Sequence, residues 1–531
     1  MLRVLVVFSL IMGSTCSANA QGNRPETPAE QEAGSPAITT EQIAQLSKVR
    51  EQLWLSSLTS LTDPQAASLG EPRLAIGLSG LTSLTDQQAE SLGKPGASLS
   101  LNGLSSLTDA QAESLSNLTY LGLDGLRSLT DAQAESLSKV KEELSLNGLT
   151  SLSDAQAKSL GNVEILSLDG LTSLSDAQAK SLGNVELLSL DGLTSLTDPQ
   201  TESLVKENGY RGFSGLTSLT DRQAESLGQV MVVSLDGLTS LTDQQAASLA
   251  KSNPGIVDRI IGSSIGLNGL LSLTDKQAEH FGELPQLELD GLTSITDAQA
   301  AHLIGVGQLM LSGLTSLTDA QAASFGKISI SVDLPGLTSL TDRQIESLSP
   351  GGKRRDLNLD GLTSLTDRQA ESLAKAGVLT LAGLTSISDA QAESLGQVTQ
   401  LWLEGLTSIN DAQAESLGQV KVGINLDGLT ELTDGQATSL GKDNGWYSYI
   451  QLNGLRSLTD QQAESLSQGE VSELSLNGLT SLSDQQAKSL SRVGRGVYLD
   501  GLTSLTDQQA ASLGQVKEFL SLRGLGLNEG K

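Results

Sequence analysis

The side chains best placed to do chemistry are carboxylates that return at a fixed interval. Asp124, Asp169, Asp191, Asp236, Asp290, Asp360, Asp427 and Asp500 each follow a short apolar run and precede Gly. Asn147, Asn268, Asn453, Asn477 and Glu404 hold equivalent places. If consecutive copies stack at strand spacing, Asp169 and Asp191 stand about 5 Å apart. At an effective dielectric near 20 the two charges then repel by about 3 kcal/mol. Calcium, which takes carboxylate oxygens, would relieve this, and so would a cationic partner. A solvated polar turn, with Asn diluting the charge, accounts for the same residues without a ligand. No EF-hand loop and no GGxGxD run accompanies them.

Other candidates are fewer. Trp446, Tyr447 and Tyr449 concentrate aromatic residues in a chain that is 2% aromatic, and Trp and Tyr dominate binding hot spots. The alternative is that they fill a longer loop. Ser349-Pro350-Gly351-Gly352-Lys353-Arg354-Arg355 is a basic tip on an acidic body, and an insertion follows Asp243 through Ser264. Thr172-Ser173, Thr194-Ser195 and their copies would stack as a hydroxyl array able to meet ice or polysaccharide, or would bond their own turn. His280 and His302 share one repeat position, but no further ligand recurs beside them, so they do not define a metal site. Asn117-Leu118-Thr119 fits a glycosylation sequon, relevant only in a eukaryotic source.

Almost every polar residue is a copy of many others, whereas an enzyme needs a unique acid, base or nucleophile. With 2 His, 1 Cys, no phosphate-binding Gly loop and no His beside a Ser–Asp pair, the chain reads as non-catalytic. A net charge of -29 excludes nucleic acid as the expected partner, since phosphate calls for clustered Lys and Arg. The expected partner is a protein or an extracellular surface ligand.

The elements that position these residues come from an internal repeat. The phrase GLTSLTDxQAxSL recurs, its Asp standing at 63, 86, 109, 131, 154, 176 and onward to 507, and Ile38 to Leu46 form a degenerate first copy. The count is 21 units, mostly of 22 or 23 residues. In one unit Leu166-Ser167-Leu168 alternates as a short strand with Ser167 outward. Gly170 lets the chain turn, and Ser175-Asp176-Ala177-Gln178 starts a helix. Ser175 and Gln178 have capping-box spacing. Asp176 could be the cap instead, with Pro64 and Pro199 at the first helical position of their units. Leu174, Ala179 and Leu182 face inward, and Gly183 ends about two turns of helix. Neither piece is stable alone, so the units must stack.

Residues 1–20 read as a cleavable secretory signal: Arg3, then apolar Val4 to Met12, then Ala18-Asn19-Ala20. Removing them leaves 32 basic and 62 acidic residues and a net charge of -30. It also removes Cys16, so no disulfide is available. Residues 21–37 read as a disordered leader, 38–525 as the solenoid and 526–531 as a tail. No stretch reaches the length of a transmembrane helix. The protein is expected to be secreted or held at the cell surface.

The run Leu-x-Leu-x-Gly-Leu-x-x-Leu-Thr-Asp resembles the leucine-rich repeat, above all its cysteine-containing subclass. The resemblance covers roughly residues 38–525. It implies an α/β fold: a right-handed leucine-rich-repeat-like solenoid with short parallel strands on one face, short helices on the other, and a binding or scaffold role on the concave strand face. The subclass has Asn or Cys, bonding neighbouring loops, where this chain has Leu126, Leu149, Leu171 and Leu193. That ladder must be absent or replaced, with Gln156, Gln178 and Gln200 as substitutes if the cap leaves them free. At strand spacing the stack would make a curved body on the order of 100 Å long. Variation falls mostly between helix and strand, which favours a repetitive ligand or a structural role. No obvious cap closes the C-terminus, so an open sheet edge is expected there.

Overall fold

The computed structural model describes residues 38–70, 75–205, 209–251, 264–349, 355–442, 448–468 and 471–525. The expected signal, leader and tail lie outside the described residues, as do Trp446, Tyr447, residues 350–354 of the basic tip and residues 252–263 of the insertion.

Among the described residues the chain alternates 21 helices with 21 strands, from the first helix Thr40–Leu46 to the last strand Phe519–Ser521. All paired strands run parallel, each beside the strand of the next unit. The architecture is the α/β leucine-rich-repeat-like solenoid that the sequence implies. In the reference unit the strand is Ile165–Ser167, one residue earlier than the alternation suggests, and the helix is Asp176–Leu182. Leu166, Leu168, Leu171, Ala179 and Leu182 are wholly buried, and their equivalents join one core from Ile38 to Leu525. Leu174 packs against it, partly buried.

The helix start resolves in favour of the hydroxyl cap. The Gln178 N–H donates to Ser175 Oγ at 3.1 Å, and the Ser175 N–H donates to Gln178 Oε1 at 2.8 Å. Asp176 is therefore the first helical residue, placing its charge at the positive end of the helix. Pro64 and Pro199 stand at the second helical position. The same glutamine also reaches the previous coil, its Nε2 donating to the Leu152 carbonyl at 2.8 Å. One amide thus serves both the cap and the inter-coil ladder, because its oxygen and nitrogen point to different coils. Ser175 Oγ also donates to Asp154 Oδ1 of the previous helix at 2.9 Å.

The repeated glycines act by close approach rather than by backbone freedom. A Cβ on Gly170 would fall 2.4 Å from the Asn147 oxygen and 2.5 Å from the Leu149 oxygen. Gly183 caps its helix at φ -59, a right-handed value, and a Cβ there would lie 1.8 Å from the Ser203 oxygen. Both positions let neighbouring coils touch backbone to backbone.

The expected open end is corrected. The last strand pairs in parallel with the first, Gln52 with Phe519, Leu53 with Leu520 and Trp54 with Ser521. The bonds across this seam copy those between ordinary coils. The Leu522 N–H donates to the Trp54 carbonyl at 2.9 Å, as Leu168 does to Ser189 at 3.0 Å. Gln42 Nε2 donates to the Leu505 carbonyl at 2.9 Å, as Gln178 does to Leu152. Ser57 Oγ donates to the Leu525 carbonyl. Closure satisfies the edge groups that an open sheet would present.

Within residues 38–525 the sheet is therefore a closed ring rather than an open curved body. Twenty-one strands at about 4.8 Å give a circumference of about 100 Å and a radius of about 16 Å. Helices need about 8–10 Å between axes, which only the longer outer circumference provides. The strands accordingly line the bore and the helices form the outer wall.

Candidate binding surface

Side chains alternate along each strand, so the central residue enters the core while the first and third face the bore. The residue two beyond the strand, which carries the recurring Asp or Asn, faces the same way, because the residue between is a buried Leu such as Leu168. The bore is built from these three positions.

The carboxylates are first a structural ladder. Asp169 Oδ1 accepts the N–H of Asp191 at 3.1 Å and the hydroxyl of Ser189 at 2.5 Å. Asp124 does the same for Asn147, and Asp191, Asp236, Asp290, Asp360, Asp427 and Asp500 each accept the N–H of the equivalent residue one coil on. Asn147 and Asn477 make the bond with Oδ1 as well, at 3.0 and 2.9 Å. The bond needs an oxygen and not a charge. A loop-bonding ladder is thus present, carried by the residue before Gly rather than by Leu171 and its copies.

The charge is left to the bore. The ladder position contributes nine acids, the eight aspartates above and Glu404. The first strand position adds Glu143, Asp356 and Glu473, and the third adds Glu288 and Asp333. Fourteen acids result, against one base at these positions, Arg523. Burial, reinforced by Asp124 and Glu142, pushes the Glu143 carboxyl up to about 7. Burial and then Asp290, Asp356, Asp360 and Glu288 push Asp333 up to about 6. Asp169, Glu288, Asp356 and Glu404 are also raised, each mainly by burial. The neighbouring Asp191 is a smaller cause at Asp169 than burial is.

Aromatic residues collect on the same face. Among the described residues every Trp and Tyr occupies a bore-facing strand position: Trp54, Tyr120, Tyr210, Trp402, Tyr449 and Tyr498. The sequence singles out only Tyr449 of these. The missed signal was the strand register: with strands starting one residue earlier, the variable residue before the central Leu becomes a second bore-facing position. Variation read as lying between helix and strand therefore includes the bore. Tyr498 meets Phe519 in a tilted contact, 4.4 Å between ring centroids.

The remaining candidates lie apart from the bore positions. Thr172, Ser173, Thr194 and Ser195 are exposed, as are His280, His302 and Asn117. Among the described residues no three His, Cys, Asp or Glu side chains gather as metal ligands, and no helix is long and apolar enough to cross a membrane.

No protein-family model matches this sequence, and no curated protein matches it. Among solved structures the chain is similar to the Drosophila Toll in its complex with Spatzle, at 15% identity and TM-score 0.35 over 79% of this chain and 60% of that one. It is similar also to TLR13 in its complex with ssRNA13, at 18% identity and TM-score 0.36 over 81% of this chain and 61% of that one. The chain thus spans about three fifths of each, and at these values the likeness carries nothing about function.

Proposed function

We propose that this chain is a secreted or cell-surface, non-catalytic repeat scaffold that binds a protein or extracellular surface ligand on its inner strand face. The observation that carries the reading is the gathering of all described Trp and Tyr residues on that one face. Trp and Tyr supply large contact area at low entropy cost and dominate hot spots. The outer helices, by contrast, repeat one polar pattern. The acidic bore repels phosphate, so a nucleic acid is not the partner in this reading. Export depends on the signal expected in residues 1–20.

The test is capture from the surface and secreted fraction of the source organism, in calcium, by the full chain and by a Trp54→Ala/Trp402→Ala variant. The reading predicts a partner held by the first and lost by the second. A partner held equally by both places the binding surface elsewhere and overturns it. Release by chelator alone would identify a calcium-dependent adhesive protein, with the Asp169 and Asp191 row as its site. Capture of nothing would favour a purely structural surface protein.

A further inference from the structure

We infer that the bore takes an extended, Lys- and Arg-rich segment of another polypeptide, its cations set against the acidic arc of coils from Asp236 to Asp360. The inference rests on the inner strand face being the binding surface and names the chemistry of its occupant. Fourteen acids stand against one base at these positions, and Arg495, just before its strand, pairs with Glu473 at 3.5 Å; the inner face stays strongly acidic, and closure of the sheet turns that imbalance inward, where low-dielectric walls focus the field. The arc from Asp236 to Asp360 is the densest part. Glu288, Asp290, Asp333 and Asp356 lie between its ends, on coils joined strand to strand. Burial already raises Glu288, Asp333 and Asp356 from their ordinary values, so an arriving cation would relieve an existing cost.

The chain displays the expected mode of contact once. Arg523, the single base of the ladder position, has its Nε 3.9 Å from Asp500 Oδ2 and its guanidinium 5.4 Å from the Trp54 ring centroid. A cation between a carboxylate and an aromatic face is the pairing that Tyr210, on the strand next to the one that opens the arc, and Asp236 could repeat at the arc's end for a basic segment. The dimensions agree. Three strand residues and the turn make a wall about 15 Å deep, which spans about five residues of extended chain. A backbone radius of about 16 Å leaves room for such a chain against one arc.

The experiment titrates the full-length chain with two decapeptides, alternating Lys-Ser and alternating Glu-Ser, at low and physiological ionic strength, following heat and Trp fluorescence. Two triple variants remove the same charge from different faces. Asp290→Asn/Asp333→Asn/Asp360→Asn alters the bore and keeps the ladder oxygens that bond Ser312 and Ala382. Glu279→Gln/Glu371→Gln/Glu393→Gln alters exposed helix positions. The expected result is binding of the Lys peptide alone, weakened about tenfold by the bore variant and less than about twofold by the helix variant. Absence of Lys-peptide binding at low salt, or equal weakening by both variants, overturns the inference. Either outcome leaves the scaffold reading to its own capture experiment, which makes no use of a basic peptide.

Discussion

One oxygen of Asp169 belongs to the fold and the other to the bore, and the two roles separate by substitution. Asp169→Asn keeps the acceptor for the Asp191 N–H, as Asn147 does naturally, and should leave stability unchanged or slightly raised in urea unfolding. Asp169→Ala leaves that N–H without its partner and the Ser189 hydroxyl with only the longer bond to Asp191 Oδ2 at 3.3 Å, and should cost about 1–3 kcal/mol. Equal loss in both variants would mean that the charge, not the oxygen, holds the coil. Glu143 tests the burial of charge. Its folded carboxyl titrates near 7 against an ordinary 4.5, so the folded state holds a proton that the unfolded state gives up. Stability therefore falls as pH rises from about 4.5 through about 7, by up to about 3 kcal/mol. Glu143→Gln should be the more stable protein at pH 8 by thermal melting, with the gap closed at about pH 4. A gap independent of pH would contradict this account of the bore.

At the scale of the element, the repeat is a helix and a strand that each lean on the next coil. Gln178→Ala removes the cap acceptor and the bond to Leu152 together and should cost about 1–3 kcal/mol in urea midpoint analysis. Gly170→Ala drives a methyl group against two carbonyl oxygens of the previous coil and should cost at least as much as ordinary overpacking, about 1–3 kcal/mol. The helices were legible because capping-box spacing and two-turn periodicity are local. The dual use of Gln178 was not, since its second partner stands 26 residues away. The glycines were legible as positions but not as reasons: sequence suggests a turn, while the coil spacing makes them contact points. Arg211 shows the limit of pattern reading most plainly. It occupies a central strand position that is apolar in the neighbouring units, lies wholly buried, and donates to the carbonyls of Leu204, Glu186, Tyr210 and Val185. Only a sequence pattern broken at Tyr210-Arg211-Gly212 hints at it.

At the scale of the whole repeat array, the architecture turns on closure. Sequence supplies 21 similar units, but curvature is the small angle between neighbours, and no single unit encodes whether twenty-one such angles bring the ends together. Closure decides whether the strand face is a concave wall or the lining of a bore, and whether an acid row faces solvent or faces other acids. The most direct test uses a pair of cysteines across the seam, Glu41→Cys with Gln508→Cys, in a chain whose Cys16 is replaced by Ser. Both residues are exposed at the second position of their helices, and those helices pack together only if the ring closes. A bismaleimide spanning about 10 Å matches the spacing of packed helices. Ala155→Cys with Ala177→Cys, on adjacent helices within the array, is the reference pair. The ring predicts intramolecular cross-linking of the seam pair as complete as that of the reference pair, with the protein monomeric. A reference pair that cross-links while the seam pair stays open or joins separate molecules would contradict closure, and with it the bore.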